Sequence, residues 1–157
     1  MKLHSFLTED MVLDRLRGGS CEAVLEEMVE HLRGRKRISP ADDLLDKLLA
    51  REGLGTTAIG GGIAIPHCKI EGLKSPVLLL GVSRDGVSFG SADGEDIHVI
   101  FLLVSPLENP SVNLRVLAAI AKLARRSRSL AGRLLQAPTA AGVLKVLREE
   151  EDGSHAS

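Results

Sequence analysis

The fold and the chemistry of this chain are decided by residues 51–69, REGLGTTAIGGGIAIPHCK. The glycines at 60 to 62 can adopt backbone angles closed to other residues and leave N–H groups bare, which suits close approach by an anion. Pro66 fixes its own φ and pushes Ile65 toward extended geometry, so His67 is expected at a rigid strand end. The pattern has two interpretations: a histidine that handles phosphate, or a turn followed by a structural histidine.

Hydroxyl and cationic side chains precede this histidine. Thr56 and Thr57 add hydroxyl donors, and Arg51, sixteen residues before His67, could supply a permanent positive charge. Arg51 falls on the last turn of a predicted helix, where an arginine is also common as a partner of the helix dipole. The pattern alone leaves both roles open for Arg51.

This stretch resembles the active-site signature of phosphotransferase-system IIA domains of the fructose/mannitol type, a family that includes the stand-alone nitrogen-regulatory IIA proteins. The matching parts are Arg51-Glu52, a small and hydroxylated run at 56–60, and GIAIPH at 62–67. The resemblance continues through SPVLLLGVSRDGVSF at 75–89 and DGEDIHVIFLLVSP at 93–106. It covers most of the chain, from about residue 5 to about residue 148.

The resemblance implies that His67 is the phosphoacceptor and that Arg51 neutralises the phosphoryl group. The family carries a second histidine, followed by leucine, in the helix after the central strand. This chain has Asn113 there, followed by Leu114; an asparagine amide can donate a hydrogen bond but stays neutral. The resemblance implies no metal and no other cofactor. The remaining phosphate-binding candidates are Thr56, Thr57, Gly60, Gly61 and Gly62.

The implied function is that of a phosphohistidine carrier, which takes a phosphoryl group from an HPr-like donor protein. The phosphorylated protein would then regulate target proteins, as in the nitrogen-regulatory type, or pass the group to a IIB domain. Whether such a carrier counts as an enzyme is left open. The alternative is a degenerate binding module that keeps the fold and acts by protein contact without efficient phosphotransfer; the asparagine at 113 favours this alternative.

Composition fits a compact globular protein. The chain has 157 residues, of which 44% are hydrophobic and 26% charged, and we expect a single domain over residues 1–148. The acidic and polar end, residues 149–157, is predicted to be a disordered tail. A net charge of −1 gives no global attraction to nucleic acid or anionic lipid. The apolar runs are too short to cross a bilayer and the N-terminus lacks a signal peptide, which favours a cytoplasmic location.

Hydrophobic periodicity predicts the order of the elements. Helices are expected from a Ser20 cap onward, from Ser39-Pro40 to Gly53, from Asn109-Pro110 to about Arg126, and over two later segments. Asp85-Gly86 carries a turn signal. Because the strands are hydrophobic almost throughout, both faces of the sheet should be covered. The fold class is therefore α+β, a three-layer α/β/α arrangement, and the resemblance implies a small mixed sheet. The predicted strands are 63–66, 76–83 and 97–104, and the later helical segments are 130–135 and 139–147.

Two further features carry no catalytic prediction. Cys68 adjoins His67, but neighbouring residues of a strand point to opposite faces, so Cys68 and Cys21 are interpreted as packing residues. A basic patch late in the third helix favours a solvated face or an acidic protein partner over nucleic acid, because the chain has no Tyr or Trp. The oligomeric state is not predicted. The basic patch comprises Lys122, Arg125, Arg126, Arg128 and Arg133.

Overall fold

A computed structural model describes residues 1–153 and shows helices packed on both faces of one sheet. The helices are α1 (Cys21–Gly34), α2 (Leu44–Gly53), α3 (Pro110–Arg126), α4 (Leu130–Gln136) and α5 (Ala140–Asp152), and two short 3-10 helices span Leu3–Phe6 and Glu9–Met11. The strands are β1 (Val12–Leu13), β2 (Ala58–Gly60), β3 (Ile63–Ala64), β4 (His67–Ile70), β5 (Val77–Val87) and β6 (Ile97–Pro106).

The sheet is mixed, as expected, and β6 is its central strand. The strand order is β1-β5-β6-β3-β2, and β4 also pairs with β6. β5 and β6 are antiparallel, whereas β3 and β4 both run parallel to β6. β3 and β4 therefore lie end to end along the same side of β6, and Pro66, which has no N–H to donate, falls at the break between them.

The two faces of the sheet are covered by different helices. A Cβ at Gly81 of β5 would lie 2.8 Å from Leu16 and 3.0 Å from Met28 of α1, so glycine lets the helix approach this face closely. Arg84, three residues along the same strand, points to the other face and donates to the carbonyls of Leu135 and Ala137 at the end of α4. The three-layer α/β/α prediction is confirmed.

Local sequence signals account for three helix starts. The Ser20 hydroxyl accepts a hydrogen bond from the Ala23 amide at 3.1 Å, which caps α1 as predicted. Thr139 caps α5 in the same way. Asn109 precedes α3 and Pro110 occupies its first turn, where the missing N–H costs nothing. These predictions are confirmed because each depends on residues within one turn.

Three predicted boundaries are wrong. The strand expected over 63–66 ends at Ala64, and a separate strand, β4, begins at His67. α2 begins at Leu44 rather than after Ser39-Pro40, because residues 39–42 form a turn in which the Asp42 amide donates to the Ser39 carbonyl at 3.1 Å. Asp85-Gly86 is not a hairpin turn; it lies inside β5, where the pairing with β6 shifts register between Val82 and Val87. Because pairing to β6 continues on both sides of the shift, the Asp-Gly pair makes a bulge.

The end of the chain also differs from the prediction of a tail starting at 149. α5 continues to Asp152 and ends at Gly153, whose φ of 64° is left-handed. Glu150 and Glu151 are buried. The Arg133 guanidinium pairs with the Glu150 carboxylate at 2.9 Å. Because this buried carboxylate is paired, the segment packs as a helix where a disordered tail was predicted. Residues 154–157 of the predicted tail lie outside the described part of the chain.

Candidate functional site

His67 opens β4 and its backbone is fixed on both sides. The Leu103 amide of β6 donates to the Pro66 carbonyl at 3.0 Å, and His67 pairs directly with Leu103. One step earlier, the Ile65 amide donates to the Thr57 carbonyl at 3.0 Å. The histidine is half-buried and lies at a strand end, as expected.

The His67 ring is oriented by its own backbone. Nδ1 lies 2.7 Å from the Ile65 carbonyl oxygen. A carbonyl oxygen can only accept, so Nδ1 carries the hydrogen and donates it. In the neutral ring the lone pair then resides on Nε2, which is the nitrogen able to act as a nucleophile.

Asn113 lies on the sheet face that the His67 side chain also occupies. It is buried in the first turn of α3, and its Oδ1 accepts a hydrogen bond from Ser105 Oγ at 3.0 Å. Ser105 is two residues beyond Leu103 on β6, and residues two apart on a strand share a face. Within residues 1–153, the Asn113 amide nitrogen Nδ2 donates to no protein atom, so both of its N–H groups are available to a ligand.

Arg51 and Thr56 lie at the start of the loop that leads to β2. Arg51 is on the last turn of α2, and its Nη1 donates to the Gly55 carbonyl at 2.9 Å. The Thr56 hydroxyl donates to the Phe89 carbonyl and accepts from the Ala58 amide at 3.1 Å. Both side chains thus shape this loop, and the Thr56 proton is already committed to a backbone acceptor.

The Thr57 side chain has a structural partner, Glu52, that the sequence pattern does not predict. The Glu52 carboxylate accepts from the Thr57 amide at 3.1 Å and from the Thr57 hydroxyl. Thr57 is buried, and because its hydroxyl donates its one hydrogen to Glu52, it has none left to donate to a phosphoryl group. Glu52 follows Arg51 directly in the sequence. No spacing rule predicts that a carboxylate at the end of α2 will accept hydrogen bonds from the loop that follows the helix.

The glycine triplet occupies a different part of the sheet from His67. Gly60, Gly61 and Gly62 have φ of 93°, 65° and 80°, which closes the tight turn between β2 and β3. The Gly62 carbonyl accepts from the His98 amide of β6 at 2.9 Å, whereas His67 pairs with Leu103, five residues further along. That offset is about 16 Å of strand. The geometry therefore gives no support to the predicted cradle and favours the interpretation as a turn.

The cysteines lie in packing environments. Cys68 pairs with Val104 and faces away from the His67 side chain. It faces α2, where Lys47 is a neighbouring charge. Burial raises the pKa of the Cys68 thiol to about 12. For Cys21, burial and, secondarily, the charges of Glu52 and Glu22 raise the thiol pKa to about 11. Neither thiol is a thiolate nucleophile near neutral pH.

Two other kinds of feature, a metal site and a membrane-spanning helix, are absent from residues 1–153. No group of three or more His, Cys, Asp or Glu side chains in this range is arranged to hold a metal ion. No helix there combines the length and the apolar composition needed to cross a membrane.

Known proteins resemble this chain in sequence and in fold. A nitrogen regulatory protein of Pseudomonas aeruginosa is 31% identical over 153 residues, which cover 98% of this chain and 99% of that protein. The crystal structure of the nitrogen regulatory protein IIA-Ntr from Neisseria meningitidis has a TM-score of 0.82 and 29% identity, covering 92% of this chain and 98% of the other. Enzyme IIAMTL of Escherichia coli, solved with phosphorylated enzyme IIBMTL, has a TM-score of 0.72 at 17% identity, over 90% and 96% of the two chains; this likeness concerns the fold.

The family match spans almost the whole described chain. Residues 5–150 match the family described as phosphoenolpyruvate-dependent sugar phosphotransferase system, EIIA 2. The range contains the strand that carries His67, the α2 end that carries Arg51, and Asn113 of α3. The chain belongs to the EIIA 2 family of the phosphoenolpyruvate-dependent sugar phosphotransferase system.

Proposed function

We propose that His67 is a phosphoryl acceptor that takes its phosphoryl group from a phosphohistidine on an HPr-like protein. The observation that carries the proposal is the 2.7 Å contact between Nδ1 and the Ile65 carbonyl, which leaves Nε2 with the lone pair. Nε2 attacks the donor's phosphorus, the donor's P–N bond breaks, and the electron pair returns to the donor's ring nitrogen. No proton has to leave His67 before the attack.

Two side chains are proposed to balance the charge on the transferred group. Arg51, anchored to the Gly55 carbonyl, brings a permanent cation to the loop beside α2. Asn113 offers its Nδ2 donors from a buried position fixed by Ser105. Stabilisation of equatorial oxygen charge by positioned donors is the main contribution that a protein makes to phosphoryl transfer. Thr57 and the glycines at 60 to 62 are not part of this proposal.

The partner surface is proposed to lie around these residues. Leu54, Leu107 and Leu114 are large apolar side chains that are 86%, 47% and 66% exposed. Leu54 follows Arg51 in the same loop, and Leu114 follows Asn113 in α3. Exposed apolar side chains grouped around polar site residues are typical of a protein-binding surface. A protein donor would seat on this surface while its phosphoryl group reaches His67.

After phosphorylation, we propose regulation of target proteins as the role that fits this chain best. It is supported by the likeness to nitrogen regulatory proteins over nearly the full length of both chains. Transfer to a IIB domain is the other outcome of a phosphorylated His67. The competing function is a binding module without efficient phosphotransfer, which the neutral Asn113 favours because it adds no charge beside His67.

The direct test is phosphorylation by a reconstituted phosphoenolpyruvate, enzyme I and HPr-like system. Intact-mass analysis should show one acid-labile phosphoryl group on the wild-type chain and none on His67→Ala. His31→Gln is the matched control, because His31 bonds to the Asp10 carbonyl in another part of the molecule. Label retained by His67→Ala would refute the assignment, and an unlabelled wild type would establish the binding module. Adding a purified IIB domain then separates the two later fates, since only a transport subunit loses its label to it.

A further inference from the structure

A second surface lies far from His67. A groove of about 750 Å³ runs between the β2–β3 hairpin, residues 58–64, and the C-terminal half of α3. Apolar side chains line part of it, and one of them, Ile59, is 42% exposed. β2 forms the edge of the sheet, so the groove opens at the side of the molecule. The side chains that line it include Ile59, Ile63, Ala121, Ala124, Arg125 and Arg128.

The α3 side of the groove carries uncompensated positive charge. Arg125 and Arg128 are exposed and make no ion pair within residues 1–153. Their neighbours differ: Arg126 donates to the Glu150 carbonyl at 2.8 Å, and Arg133 pairs with the Glu150 carboxylate. The basic patch seen in the sequence therefore divides into arginines that hold α5 and arginines that face the groove.

Charge is segregated along the whole chain as well. Residues 109–148 contain eight Arg and Lys and no Asp or Glu, so they carry +8, and the rest of the chain, with a total of −1, carries −9. The hairpin's acidic neighbour, Asp93, does not line the groove. Hydrogen bonds from the Ser91 hydroxyl and from the Glu95 and Gly61 amides lower the pKa of Asp93, so this carboxylate is ionised beside the hairpin and the positive charge of the groove lies on its α3 side.

We propose that this groove is a docking site for an extended acidic segment of a partner protein. Carboxylates of the segment would meet Arg125 and Arg128, and its aliphatic side chains would cover Ile59, Ile63 and the alanines of α3. A nucleic acid fits less well, because its phosphates would approach a chain whose remaining charge is −9 and which has no Tyr or Trp for base stacking. The site lies about 16 Å along β6 from His67, and the proposal does not depend on phosphorylation.

The probe for the test is a capped nine-residue peptide that alternates Glu with Leu and Val. It is titrated into the ¹⁵N-labelled full chain and followed by amide shifts, with a single-stranded oligonucleotide of equal net charge as the comparison. We expect saturable shifts centred on Gly60, Gly61, Ala124 and Ser127. The same shifts should occur in His67→Ala, which separates this proposal from the one on phosphotransfer.

Three variants determine whether the groove itself binds the peptide. Arg125→Glu with Arg128→Glu should weaken binding about tenfold or more, and Ile59→Ser should weaken it several-fold by removing exposed apolar area. Arg15→Glu with Arg17→Glu is the matched control: both residues are exposed, the change in net charge is identical, and affinity should fall by less than about twofold.

Several results would overturn the proposal. They are the absence of saturable shifts at about millimolar peptide, equal weakening by the two double variants, and tighter binding of the oligonucleotide. If raising the protein concentration alone reproduced the shifts, a second copy of this chain would be the occupant in place of a partner's acidic segment. All variants are exposed substitutions, and their thermal unfolding is compared with wild type so that misfolding is recognised.

Discussion

At the level of single residues, the backbone around His67 restrains its position and the orientation of its ring. Pro66 places it where β4 begins, the Leu103 amide fixes the carbonyl before it, and the Ile65 carbonyl holds Nδ1. Each restraint comes from the backbone, so substitutions around the site alter its charge without releasing the ring. The proton on Nδ1 then selects Nε2 as the reactive nitrogen.

Asn113→His should raise the phosphotransfer rate relative to wild type, and the ratio of the two rates should grow below about pH 7. The reason is that an imidazole there adds positive charge as it protonates, whereas the amide stays neutral. The measurement is single-turnover transfer from the phosphorylated HPr-like donor across a pH series.

Asn113→Ala is the companion variant. It leaves the Ser105 hydroxyl without its acceptor and should lower the free energy of unfolding by about 1 kcal/mol, besides slowing transfer. Rates and pH profiles unchanged in both variants would show that position 113 does not reach the phosphoryl group.

The thiols should resist alkylation in the folded chain. Because burial raises the pKa of Cys68 to about 12 and that of Cys21 to about 11, iodoacetamide at pH 8 should modify the native protein far more slowly than the unfolded one. Between about pH 9 and these values the unfolded chain binds fewer protons than the folded chain, so the free energy of unfolding should decline as pH rises. Equal alkylation rates in the native and unfolded states would contradict the burial argument.

At the level of helices and strands, contacts between near neighbours in the sequence could be predicted, whereas the pairing of distant segments could not. The Ser20 and Thr139 caps were predictable, since donor and acceptor lie three residues apart. The distance between the glycine turn and His67 could not be predicted, because only the register of β3 and β4 on β6 sets it. The Glu52–Thr57 contact was missed for a similar reason, since a five-residue loop can close in many ways.

Arg51 lies on the last turn of α2. Arg51→Ala should slow phosphotransfer by about 10- to 100-fold, or about 1.4–3 kcal/mol of barrier, while the free energy of unfolding changes by less than about 1 kcal/mol. Arg51→Lys should recover part of the rate, because an ammonium lacks the planar fork. Stopped-flow transfer and urea unfolding measure the two effects. A large loss of stability with normal transfer would reduce Arg51 to a cap that holds the Gly55 carbonyl.

At the scale of the whole molecule, the first and last described segments hold each other. The Glu151 carboxylate of α5 accepts hydrogen bonds from the Leu3 amide, the His4 amide at 2.8 Å and His4 Nδ1 at 2.8 Å. Glu151 is buried, so its charge is satisfied by these donors at the start of the chain. No sequence pattern links residues nearly 150 positions apart, so the acidic run after Arg148 does not reveal from sequence alone that it is anchored.

Glu151→Gln should lower the free energy of unfolding by about 1.5–3 kcal/mol, since it replaces a charged acceptor of several hydrogen bonds with a neutral amide. Glu26→Gln, an exposed residue on α1, is the matched control and should change the free energy by less than about 0.5 kcal/mol. Urea unfolding at neutral pH measures both. Equal, small effects would show that the Glu151 contacts do not stabilise the fold, and normal phosphotransfer in Glu151→Gln is expected because His67 is not involved.

We expect the chain to carry one phosphoryl group, on Nε2 of His67. Long-range ¹H–¹⁵N correlation of the ¹⁵N-labelled protein, phosphorylated by the HPr-like donor, identifies the modified histidine and the modified ring nitrogen in one measurement. The phosphorus should couple to Nε2 of His67, with the proton retained on Nδ1 and the other histidines unmodified. Phosphorus on Nδ1 of His67, or on any other histidine, would contradict this expectation.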